Sequence, residues 1–98
     1  MDSTLLFVVE DAFQLSSIGC TLVPGPSMDS GIDVRPGDAL RLELPDGRQM
    51  DTQVAGFVSI RRTKPEHRRT VPLTLPKSVQ KEQVPPGTRV FLIAKQIT

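Results

Sequence analysis

Ala39-Leu40-Arg41-Leu42-Glu43-Leu44-Pro45-Asp46-Gly47 decides how this chain folds. Leu40, Leu42 and Leu44 share one parity and Arg41 and Glu43 the other, which is the period of a strand with one dry face and one wet face. Pro45 presets the first corner of a turn and Gly47 tolerates positive φ, so the following run is expected to fold back antiparallel. That run is long: Met50, Thr52, Val54, Gly56, Val58 and Ile60 keep one parity, with Asp51 and Gln53 on the other. Gly56 within it predicts a bulge or bend where the sheet curves.

Outward from this hairpin the chain repeats the same grammar. Thr4 to Val9 is a continuous apolar and β-branched run, suited to a strand buried on both faces or to the first strand of a closed sheet. Val9-Glu10-Asp11-Ala12-Phe13 is a strand-like lead-in, and Cys20 to Val23 is a strand that must stop at Pro24-Gly25-Pro26, where two donors are missing. Thr70 to Leu75 reads as a strand interrupted by Pro72 and therefore as an edge or irregular strand. Lys77 to Gln83 has room for one helical turn, and Thr88 to Lys95 is the last strand, entered from Pro85-Pro86-Gly87. With nine prolines, seven glycines, no Trp and no Tyr in 98 residues, the composition suits many short segments joined by turns. The expectation is one all-β domain over residues 1–98, a small closed antiparallel β-barrel of about six strands.

Five pieces of the chain, in order and spacing, resemble the second, β-barrel domain of the translational GTPases, the elongation factor Tu family. Val9 to Phe13 resembles that barrel's opening strand and acidic turn, and Ile18 to Gly25 its glycine-started strand. Gly31 to Leu42 is similar to the segment in which Gly-Asp precedes the third strand, Thr52 to Ile60 to the strand with a Val-x-Gly-x-x-x-Phe-like element, and Lys81 to Leu92 to the closing segment. Gly19, Gly37 and Gly87 stand where such a barrel needs corners. The resemblance implies an accessory binding module that, in the family, lies beside a GTPase and against RNA. These 98 residues hold no Gly-x-x-x-x-Gly-Lys-Ser/Thr loop, so neither nucleotide binding nor GTP hydrolysis is expected, and the module is read as standing alone. The loop before the penultimate strand also departs from the family, being Arg61-Arg62-Thr63-Lys64-Pro65-Glu66-His67-Arg68-Arg69.

That basic loop is the leading candidate site. Arg61, Arg62, Lys64, His67, Arg68 and Arg69 fall within nine residues, opposed by Glu66 alone, and antiparallel flanking strands would bring the loop's two ends together. A net charge of +1 and few aromatics to stack bases favour a solvated loop or a protein contact over nucleic acid, and the edge around Pro72 is expected to share in the contact.

Chemistry finds little footing elsewhere. His67 is the single histidine, among cations, with no second histidine to complete a zinc site. Glu10, Asp11 and Asp38 read as turn-capping acids; an enzyme would require Asp11, Asp38 and His67 to converge in one pocket. Ser16 and Ser17 lack a neighbouring base and nucleophile-elbow glycines. Cys20, the single cysteine, reads as a small buried hydrophobe, the alternative being a reactive thiol. Phe7, Phe13, Phe57 and Phe91 read as core, with room for one of them to line a groove. Leu5 to Val9 is too short for a signal peptide and no apolar run reaches the roughly 18 residues of a membrane span. The sequence therefore points to a cytoplasmic, non-enzymatic module with no metal and no cofactor. Its partner is expected to be a protein, the alternative being RNA held through the loop at 61–69.

Overall fold

The computed structural model describes residues 3–15, 19–27, 32–58 and 70–93. Among the described residues eight strands run in chain order: β1 (Ser3–Val8), β2 (Asp11–Leu15), β3 (Gly19–Val23), β4 (Ala39–Glu43), β5 (Gln49–Gln53), β6 (Gly56–Phe57), β7 (Leu73–Leu75) and β8 (Arg89–Ile93). They form two four-stranded sheets, β1-β8-β4-β5 and β2-β3-β7-β6, in which every pairing is antiparallel. Within the span Lys77 to Gln83, a 3-10 turn forms at Lys81–Gln83. Its entry is held by the Gln80 amide donating to Gln83 Oε1 at 2.8 Å, and it rests on β2 through the Lys81 amide donating to Gln14 Oε1 at 3.0 Å.

The all-β expectation holds, but neither sheet closes into a barrel. Each edge strand of the first sheet instead runs into an edge strand of the second, β1 into β2 through Val9 and Glu10, and β5 into β6 through Val54 and Ala55. The reason is visible in the backbone hydrogen bonds. The Val9 amide donates to the Thr88 carbonyl at 2.8 Å, continuing the β1–β8 ladder, whereas the next amide, Glu10, donates to Val23 at 2.9 Å and begins the β2–β3 ladder. At the other corner Val54 donates to Asp38 at 2.9 Å and Ala55 to Thr74 at 2.8 Å. A strand that changes sheets within one peptide step makes a corner without a gap in backbone satisfaction. This also accounts for the strand count: the long arm from Met50 splits at Val54–Ala55, just before the glycine expected to bend it.

The hairpin forms as its sequence requires, pairing Ala39 with Gln53 through Glu43 with Gln49. Leu40, Leu42 and Leu44 enter the core, where they join Phe7, Val9, Cys20, Leu22, Val54, Leu73, Leu75 and Val90. Arg41 and Glu43 stay on the opposite face, ion-paired to Asp51 at 2.8 Å and to Arg89 at 3.1 Å.

Three expectations are corrected. β1 is not buried on both faces, because it is an edge strand with Leu5 and Val8 exposed. β7 is not an edge: it lies between β3 and β6 and all three of its residues are buried. Pro72 precedes its first residue, buried, where its carbonyl accepts from the Val58 amide at 3.1 Å and no donor is required of it. Of the four phenylalanines, Phe7 is core and Phe91 half-buried, while Phe13 and Phe57 are partly exposed on the edge strands β2 and β6.

Among the described glycines, Gly25 lies closest to a neighbouring backbone. It takes φ +90°, and a Cβ built there would fall on the carbonyl of Val71. Gly47 has nearly the same φ, +93°, but faces open space in the hairpin turn. Replacing Gly47 by Ala is expected to cost about 1 kcal/mol, the left-handed penalty alone. Gly25→Ala adds a collision with backbone and is expected to cost upward of about 2 kcal/mol in urea unfolding.

The same turn makes a second prediction. The Arg48 amide donates to Asp46 Oδ1 at 3.0 Å and the Arg48 Nε to Oδ2 at 2.7 Å; the amide bond chiefly, with the guanidinium, holds this carboxyl below its ordinary pKa. Asp51 is lowered by its hydrogen bond from the Arg41 side chain. A folded pKa below the unfolded one gives stability that is full above the unfolded value and is lost as pH falls through the folded value. Carboxyl NMR titration should show Asp46 and Asp51 protonating below the free carboxylate range, with a small matching loss of stability because both are exposed.

Candidate functional site

Pro24-Gly25-Pro26 cannot enter a ladder, and after β3 it passes close over the chain leading into β7. The Val71 amide donates to the Pro26 carbonyl at 3.2 Å, and Ser27 bridges Thr70, so these two irregular segments form one wall. Opposite lies the segment 32–35, held by a turn in which the Arg35 amide donates to Asp38 Oδ2 at 2.8 Å and the Asp38 amide to the Arg35 carbonyl at 3.1 Å. Between them opens a groove of about 410 Å³ lined by Pro26, Ser27, Ile32, Asp33, Val34, Phe57 and Val71. Its surface is mainly apolar. Asp33 brings a carboxylate, which receives the Arg35 Nε at 2.9 Å. Phe57, the last residue of β6, is 36% exposed there.

Arg61, Arg62, Lys64, His67, Arg68 and Arg69 lie outside the described residues. What the structure does establish is where their segment leaves and returns. β6 and β7 pair antiparallel, Gly56 with Thr74 and Phe57 with Leu73, and the Val58 amide then donates to the Pro72 carbonyl. The two ends are thus brought together, as expected, and they meet beside the groove, since Phe57 and Val71 both line it.

Two of the turn acids, Asp38 and Asp11, do what their positions suggest. Asp38, nearly buried, supports the turn at 35–38, and Asp11 accepts its neighbour Ala12's amide at 2.8 Å on entry to β2. Asp11 faces a different groove with Ala12, Lys81, Glu82, Val84, Pro85 and Pro86. The carboxylates that an enzyme would need to converge are therefore on separate features, and His67 is outside the described residues. Among the described residues no three His, Cys, Asp or Glu side chains gather in a metal-binding group, and no helix is long and apolar enough to cross a membrane.

The groove itself is the feature that sequence reasoning missed. One signal was present: Phe57 shares parity with Asp51 and Gln53 rather than with Met50 and Val54, which sets it off the buried face of the long arm. Edge placement around Pro72, by contrast, is overturned. Pro72 is buried, and Val71 is the neighbour that reaches the groove.

Cys20 sits fully buried on β3, in register with Gln14 and Leu75. Burial pushes its thiol pKa up, and the negative charge of Glu82 adds to the rise. Beside it Thr21 and Thr74, both buried, satisfy one another through their hydroxyls at 3.3 Å. Compared with protein-family models, curated proteins and solved structures, the chain finds no match.

A buried thiol that is held protonated is not a nucleophile. Cys20 is expected to resist a thiol-specific reagent in native buffer and to react in step with global unfolding in urea. Rapid native labelling would contradict its placement.

Proposed function

We propose that this chain is a non-enzymatic binding module whose docking surface for another protein is the apolar groove between Pro26, Ile32, Val34, Phe57 and Val71. One observation carries the reading: Phe57, a large aromatic side chain, stays 36% exposed on an apolar groove at the root of the most strongly charged segment of the sequence. Exposed aromatic surface of this kind is characteristic of binding anchors, with polar groups at the rim setting orientation. Asp33 and Arg35 supply such a rim here, and the basic run of the neighbouring segment supplies long-range attraction toward an acidic partner. The likeness of five sequence segments to the second domain of the elongation factor Tu family supports the same class of role, because that domain binds rather than catalyses. A free thiol at Cys20 favours a reducing, cytoplasmic setting.

RNA is the second reading. It is favoured by Arg61, Arg62, Lys64, Arg68 and Arg69 lying on one short connection with both ends at the same place on the fold.

Affinity capture from the native host, with and without nuclease, separates the two. For a protein partner, Phe57→Ala is expected to weaken binding roughly thirtyfold, the loss of an anchor worth about 2 kcal/mol, while nuclease changes nothing. For RNA, nuclease should release the partner, added salt should weaken binding steeply, and Arg68→Ala with Arg69→Ala should do more harm than Phe57→Ala. Binding that survives Phe57→Ala and nuclease together overturns both.

A further inference from the structure

The hairpin of β4 and β5 turns on the peptide bond between Asp46 and Gly47. Of the aspartates in the sequence, Asp46 alone is followed by glycine. Such a pair carries chemistry of its own. The glycine nitrogen can attack the aspartate carboxyl carbon and close a five-membered imide, and the absence of a side chain leaves that nitrogen open to approach. In this step the N–Cγ bond forms, the Cγ–OH bond breaks, and the hydroxyl leaves with the amide proton as water. A second water opens the ring at either carbonyl, giving back aspartate or giving isoaspartate, in which the main chain runs through the former side chain. No other reactant is needed.

The folded turn engages both reacting groups. The Gly47 amide donates to the Leu44 carbonyl at 2.9 Å and the Leu44 amide to the Arg48 carbonyl at 2.8 Å, which closes a tight turn with Gly47 at φ +93° behind it. To attack, the Gly47 nitrogen must leave the Leu44 carbonyl and swing over the carboxyl carbon. That carbon is held from the other side: Asp46 Oδ1 accepts the Arg48 amide at 3.0 Å and Oδ2 accepts the Arg48 Nε at 2.7 Å. The amide chiefly, with the guanidinium, favours the ionised carboxyl, which has no hydroxyl to lose. Burial contributes nothing here, since the Arg48 and Asp46 side chains are 76% and 54% exposed and water reaches both.

We propose that Asp46–Gly47 is the backbone-isomerisation site of this chain and that Arg48, clasping the Asp46 carboxylate in the folded hairpin, is the residue that holds it shut. Asp51 has a similar partner in Arg41, at 2.8 and 3.2 Å, but is followed by Thr52, whose branched Cβ crowds the nitrogen that would attack. Asp33, paired with Arg35, is likewise followed by a branched residue, Val34. Only at residue 46 does the clasp stand against an open nucleophile. The stake is the hairpin itself. Isoaspartate adds one main-chain atom to the three-residue connection between Leu44 and Arg48, and the pairing of Glu43 with Gln49 loses the turn that sets its register. The site is separate from the groove at Phe57, so it stands whether or not that groove binds a partner.

Incubation of the full chain in warm, mildly acidic buffer, with and without urea, tests it, with isoaspartate counted by peptide mapping and electron-transfer fragmentation. The unfolded wild type is expected to gain isoaspartate at residue 46, and the native wild type to gain it at least roughly tenfold more slowly. Arg48→Ala keeps the amide bond to Asp46 and, its side chain being exposed, should keep the far-ultraviolet circular dichroism spectrum, yet it should raise the native rate roughly two- to fivefold. Arg41→Ala removes the comparable ion pair from the same hairpin and should leave the rate at residue 46 unchanged, which separates the clasp from a general loss of stability. An unfolded chain that forms no isoaspartate at residue 46, or forms as much at Asp51, overturns the site. A native rate equal to the unfolded one, or an Arg48→Ala rate equal to that of the wild type or of Arg41→Ala, overturns the role of Arg48.

Discussion

The fold depends on two single peptide steps at which the backbone changes partners. A buried amide must find an acceptor, and in an all-strand protein the acceptor belongs to a neighbouring strand. At Val9–Glu10 and again at Val54–Ala55, consecutive amides bond to different sheets, to Thr88 and Val23 at the first step and to Asp38 and Thr74 at the second. Two open sheets are thereby bound along both flanks by the chain itself. Their inner faces meet over Leu22, Leu40, Leu42, Leu73, Leu75 and Val90, and no ladder has to close around them.

The same constraint distributes exposure. A strand leaving one sheet for another can be long on one side of the corner and short on the other, and β6, Gly56–Phe57, is the short case. Phe57 ends there, beside a wall made by the segment that Pro24 and Pro26 keep out of the ladder. Gly25 lets that segment lie directly against Val71, so the groove's shape follows from a glycine and two prolines rather than from an extra element. At the opposite corner the consequence is the uncharged edge of β1, whose bulge at Leu6 serves the core by turning Phe7 inward and exposes Val8 in doing so.

Polar side chains serve this arrangement locally. Asp38 and Asp46 take up amides in turns, Gln83 takes up Gln80's, and Thr21 and Thr74 satisfy each other in the interior. None of these contacts reaches across the grooves. They stiffen the rims, which suits surfaces that present shape and charge to a partner.

Alternating parity, turn residues and proline breaks are properties of a few consecutive positions, so the hairpin of β4 and β5, the end of β3 at Pro24, the burial of Cys20 and the capping by Asp38 were legible without coordinates. The nearness of the two ends of the basic segment was legible for the same reason, because two antiparallel strands flank it. Which sheet a strand joins is not written locally. An apolar run such as Leu73–Leu75 looks alike in the middle of a sheet and at its edge. Those differences depend on which distant amide and carbonyl come within hydrogen-bonding reach, and only the packed tertiary structure brings them there.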